Sequence, residues 1–141
     1  MFIYILRFFI AIFSVFSITG AFCASSSPDM TVFALKEKEG SVWNSRTGQA
    51  QYMASFNVTV NNNSKETVKY GKDNKMCFFA FGSNGVSVQS SGVQYELIAT
   101  DYKPGESRSG VVYFTSSTDN IFNLPFIKLE DGKACVSHPD K

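Results

Sequence analysis

Histidine is almost missing from this chain, and with it much of the vocabulary of catalysis. The one imidazole, His138, sits in the terminal run Ser137-His138-Pro139-Asp140-Lys141. A Ser-His-Asp relay needs a buried imidazole oriented by a carboxylate, and a tail beyond the last expected strand does not supply one. No Gly-x-Ser-x-Gly elbow, phosphate loop or His-Glu-x-x-His pattern occurs. Soft metal sites combine several ligands, whereas Met30, Met53 and Met76 have no histidine beside them in sequence. Core or gap filling is the expected role for these thioethers. No catalytic, cofactor-binding or metal-binding residue is therefore assigned, and the chain reads as a non-enzyme.

An excess of one charge is lacking too. Thirteen basic residues stand against twelve acidic ones, and Lys and Arg are scattered singly. Nucleic acids and anionic membrane surfaces are normally met by a basic stripe, so neither partner is expected. Cysteine is scarce, with Cys23, Cys77 and Cys135 only. Cys23 belongs to the N-terminal segment described below. Cys77 and Cys135 lack the close Cys-x-x-Cys spacing of a metal or redox site, and an isolated pair in an oxidising compartment is most simply a structural disulfide.

What is present begins at the N-terminus. Residues 2–18 are apolar apart from Arg7 and a few hydroxyls, and small residues follow at Thr19, Gly20, Ala21, Cys23 and Ala24. A positive residue, an apolar stretch and a small-residue zone make an export signal. The uninterrupted run from Phe8 to Ile18 is short for roughly 30 Å of hydrocarbon, so cleavage after Cys23 is expected, with no stable membrane anchor left. A lipid on Cys23 is the alternative, disfavoured by Phe22. The expectation is thus a signal peptide at 1–23 and one domain at 24–141, periplasmic or secreted.

Beyond the signal the hydrophobic pattern has period two, and turn residues recur at short intervals. From Gln51 to Asn61, Tyr52, Ala54, Phe56, Val58 and Val60 share one face of a strand. Further strands are expected at Thr31–Lys38, Thr67–Tyr70, Lys75–Phe81, Val86–Gln89, Gln94–Thr100, Ser109–Thr115 and Phe126–Glu130. The last should pair with Lys133–Ser137 across Asp131-Gly132. Asn84-Gly85 points to a type I′ hairpin, and Pro104-Gly105 to a turn. Seven or eight short antiparallel strands imply an all-β, immunoglobulin-like β-sandwich.

Three segments carry a resemblance. Phe56-Asn57-Val58-Thr59-Val60-Asn61-Asn62 resembles the strand and Asn turn of small exported bacterial immunoglobulin-like domains. Lys103-Pro104-Gly105-Glu106-Ser107, followed by Gly110-Val111-Val112-Tyr113-Phe114, is similar to the Pro-Gly-Glu turn and rising strand of the same group. Met76-Cys77-Phe78-Phe79-Ala80-Phe81 with its Asn-Gly hairpin resembles a family of uncharacterised periplasmic proteins. The resemblance supports the sandwich and implies no assigned activity, since fold alone does not supply one.

Carboxylate pairs occur at Glu37 with Glu39 and at Glu130 with Asp131. Two acids on one strand face are a glycosidase ingredient, but alternation with Lys36 and Lys38 is the pattern of an edge that resists sheet-to-sheet association. Asn57-Val58-Thr59 and Asn62-Asn63-Ser64 match glycosylation acceptors, whose meaning depends on the host. Trp43, with Arg46 nearby, lies in the polar segment Gly40–Gly48 read as a loop. Such an aromatic is either a hot spot for a protein or envelope component or a lid folded over one end of the sandwich. The expected function is an exported non-enzymatic accessory or binding domain acting through loops or an edge strand. A small hydrolase or copper-binding protein with a dispersed site is the alternative.

Overall fold

The computed structural model describes residues 29–70, 75–130, 132 and 135. The expected signal segment, the strand at Lys133–Ser137 and His138 lie outside these, apart from Cys135, which is not in a strand.

Seven strands are present among the described residues: β1 (Met30–Asn44), β2 (Gln49–Asn62), β3 (Cys77–Phe81), β4 (Ser87–Gln89), β5 (Gly92–Val93), β6 (Ser107–Ser116) and β7 (Phe126–Glu130). One helical turn, α1 (Tyr95–Ile98), follows β5, and a 3-10 turn spans Asp119–Asn123. The strands form two antiparallel sheets, ordered β1-β2-β6-β5 and β4-β3-β7. The chain is an all-β sandwich.

β2 shows why. Its alternation puts Ala54, Phe56, Val58 and Val60 in the core, because successive side chains on a strand take opposite faces. Val112 and Phe114 of β6 lie on the same inner face, and Phe56 meets Phe114 edge-on with centroids 5.6 Å apart. Phe78 and Ala80 come from the small sheet, with Leu97, Ile121 and Leu124 filling between. Each fully buried large side chain contributes about 1.5–3 kcal/mol.

Three expectations are corrected. Gln94–Thr100 is not a strand: the Tyr95, Leu97, Ala99 alternation is overridden by one helical turn that buries Leu97 and leaves Tyr95 exposed. The turn fits because β6 has glycine beneath it, and a Cβ at Gly110 would come within 2.9 Å of Leu97 Cγ. Thr67–Tyr70 is reduced to an isolated bridge, Val68 with Tyr102. At Asn84-Gly85 the hairpin forms, but only Gly85 has positive φ, at 77°. The Gly85 N–H bonds the Gly82 carbonyl and the Val86 N–H bonds Asn84 Oδ1, so the connection is not type I′.

The segment read as a loop is also corrected. β1 continues through Trp43, paired with Ala50 of β2, and the turn is confined to 45–48. Asn44 Oδ1 accepts from the Arg46 and Thr47 N–H groups, and Gly48 (φ 66°) donates to the Asn44 carbonyl. An Asn that caps its own turn and a glycine at left-handed φ close the hairpin locally. The polar side chains of Gly40–Thr47 hid a strand because neither face of it is buried.

Candidate functional site

Two places stand out, at opposite levels of self-sufficiency. The first is a polar network on the turn after β2. Asn62 is fully buried. Its Nδ2 donates to the carbonyls of Glu66 (2.8 Å), Tyr102 (3.1 Å) and Lys103 (3.1 Å), while Oδ1 accepts from the Ser64 N–H and hydroxyl. The Tyr102 hydroxyl donates to the Leu97 carbonyl at 2.9 Å. The Arg108 guanidinium covers the Tyr102 ring at 4.2 Å and donates to Glu106 Oε1, the Thr100 carbonyl and hydroxyl, and the Asp101 carbonyl.

Burial pushes the Tyr102 phenol up to about 12, with Arg108 opposing the shift. The Arg108 hydrogen bond holds the Glu106 carboxyl below its usual range, aided by the Lys103 N–H. A shallow recess of about 530 Å³ lies here, lined by residues including Lys103, Glu106 and Arg108. The network's donors and acceptors are spent on each other, and no buried side-chain polar atom among the described residues lacks a partner. The cluster therefore ties the turn at 62–66 to the segment 97–108, distant in sequence, and leaves few groups to hold a substrate.

The second place is the β1–β2 ribbon. β2 pairs with β6 only as far as Tyr52, opposite Ser116. Beyond it, residues 42–44 and 49–51 form a two-stranded arm with no third strand among the described residues. Val42 and Trp43 on this arm are 49% and 65% exposed, so Trp43 does not cover the end of the sandwich. Arg46 lies in the turn at its tip. On the outer face of the large sheet, Phe33 and Leu35 are also exposed, at 61% and 60%. A groove of about 240 Å³ lies between Lys38, Val42, Met53 and Tyr113, with Gly40 leaving the space. A Cβ added at Gly40 would meet nothing within 4 Å.

The remaining sequence-named residues are dispersed. Glu37 is the extra residue of a β-bulge, the register passing from Lys36 opposite Phe56 to Lys38 opposite Ser55. Glu39 accepts from Lys36 Nζ at 2.5 Å, and the same ammonium donates to the Phe122 carbonyl. Glu39 is thus neutralised by Lys36, and Glu37 and Glu39 do not stand as a free acid pair. Met76 is in the core, Met30 packs at its edge and Met53 lines the groove. No group of three or more His, Cys, Asp or Glu converges among the described residues. Cys77 and Cys135 are joined by a disulfide, their Cα atoms 5.6 Å apart.

The Asn62 network is what sequence inspection missed. Asn61-Asn62-Asn63-Ser64 is legible as a turn, but its partners arrive from as far as Lys103. Asn57 is exposed on the outer face, whereas the second glycosylation match, Asn62, has its amide buried and fully bonded.

A model of the domain of unknown function DUF4354 matches residues 5–131. The crystal structure of an ApaG protein from Pseudomonas aeruginosa PAO1 is similar to this chain, with 27% identity and a TM-score of 0.66 over 77% of this chain and 99% of that one. No curated protein matches.

Proposed function

The chain belongs to the DUF4354 family, and from that premise we propose that it is a non-enzymatic binding domain that docks a polypeptide on the β1–β2 ribbon and the adjoining edge of β1. The observation that carries this is the arm past Tyr52: an isolated two-stranded ribbon is marginal in water, yet this one spends Val42 and Trp43 on solvent instead of on the core. Exposed aromatic and apolar side chains beside an arginine suit a protein contact. The polar network at Asn62 is a poorer candidate because its groups are already paired.

The domain works after export, in the periplasm or outside the cell. The apolar N-terminal segment with its small-residue zone supports this, as does the Cys77–Cys135 bridge, since disulfides persist in oxidising compartments. A photoreactive residue replacing Trp43 should cross-link to polypeptide in the host envelope, while the same residue replacing Tyr95, which is 72% exposed, should not. Equal cross-linking from both positions, or none from position 43, overturns the docking surface.

A further inference from the structure

β1 is the end strand of the large sheet, and no described strand bonds its outer edge. β7, the end strand of the small sheet, runs close to it without pairing. Resting on the docking surface above, we propose that the occupant of this edge is a second copy of the chain, its β1 paired antiparallel about a two-fold axis between Glu37 and Lys38.

Charge selects that register. Signs alternate along Lys36-Glu37-Lys38-Glu39, so an axis placed on any one of these residues sets like charges opposite each other, which is destabilising. An axis between Glu37 and Lys38 sets Lys36 opposite the partner's Glu39 and Glu37 opposite the partner's Lys38, with the reciprocal pairs by symmetry. Moving the axis by one residue leaves two of the charges facing small or apolar side chains. The pattern that repels a generic strand thus complements a copy of itself.

Face selects it independently. In an unbroken antiparallel pair, an axis between two residues would oppose inward and outward side chains. The bulge at Glu37 removes the conflict. Phe33 and Leu35 before it, and Gly40 and Val42 after it, all lie on the outer face, opposite Thr59, Asn57, Met53 and Gln51 of β2. In the proposed register Phe33 meets the partner's Val42, and Leu35 meets the partner's Gly40. The groove left open at Gly40 then receives the exposed side chain of the partner's Leu35. On the inner side Trp43 falls opposite the partner's Val32, and the tip carrying Arg46 reaches toward the partner's Asp29.

Sedimentation equilibrium on the purified chain tests this. Wild type should be a dimer. Glu37→Lys and Lys38→Glu, both at exposed positions, each place two like-charged pairs at the axis and should weaken dimerisation by about tenfold. An equimolar mixture of the two variants should recover the wild-type affinity as a heterodimer, an outcome that misfolding of either variant would not give. A wild-type monomer at the highest soluble concentration overturns the second copy as occupant, as does a dimer indifferent to both variants. If wild type is monomeric yet position 43 still cross-links to another polypeptide, the docking surface stands without the second copy. If neither occurs, both fall.

Discussion

Asn62 is fully buried yet keeps its amide occupied by carbonyls from three residues and its oxygen by Ser64. Asn62→Leu keeps the volume and removes the donors, leaving carbonyls of Glu66, Tyr102 and Lys103 short of partners. Loss of about 3 kcal/mol is expected, read as a lowered urea midpoint. Tyr102 sets an alkaline limit. Its folded value of about 12 exceeds the ordinary 10.0, so the neutral phenol stabilises the fold below pH 10 and that contribution is lost as pH rises from 10 toward 12. Tyr102→Phe should flatten this decline in a stability-against-pH series, while losing the Leu97 hydrogen bond at every pH. Glu106 runs the opposite way. Its carboxyl is held below the ordinary 4.5, so its contribution is present above that value and lost as pH falls through the lower folded one, and Glu106→Gln should remove that part of the acid limb.

At the scale of elements, the ribbon and the sandwich should differ in local stability. Phe56, Val58 and Val60 sit in a strand paired on both sides, whereas Ser41–Asn44 pair on one side only. Amide exchange should be slowest at the former and fast at the latter. Trp43→Ala should leave the stability of the dissociated monomer within about 0.5 kcal/mol of wild type, as befits a ring exposed on the single chain. A fall of several degrees in Tm would show that the ring packs after all. Gly110→Ala should be costly, because the added Cβ would reach 2.9 Å from the buried Leu97. Overpacking of this kind costs about 1–3 kcal/mol, measurable by thermal melting.

For the whole molecule, the disulfide matters most for stability. It spans a separation of 58 residues and ties the start of β3 to the chain beyond β7. Constraint of the unfolded chain gives about 4 kcal/mol for such a loop in the chain-entropy account. Cys77→Ala should lower stability by about 2–5 kcal/mol, and reduction of wild type should bring the two proteins together. Intact-mass measurement on protein from the host should find an N-terminus near Ala24. Retention of Met1 to Ile18 would remove the export assignment, and an acyl increment on Cys23 would replace it with a lipoprotein.

Strand β2, the Pro104-Gly105 turn, β6 and β7 were legible in the sequence because each is specified by its own side chains: an alternating buried face, or a turn residue whose backbone preference is local. Trp43 and Arg46 were legible as an aromatic and a cation in a mostly polar segment, but the sequence left open whether the ring is exposed or a lid over the sandwich. Only the tertiary structure decided the rest. The alternation of Tyr95, Leu97 and Ala99 fits a strand, and Gly110, distant in sequence, made room for a helical turn instead. Asn62 was readable as a turn residue, but its partners are backbone carbonyls, which carry no residue signature. The polar stretch through Trp43 became a strand because β2 extends past the sandwich and pairs with it, a register set by backbone hydrogen bonds and not by burial. The sequence by itself determined where apolar faces must be covered; which polar atoms meet, and which edge is left open, depended on segments brought together only by folding.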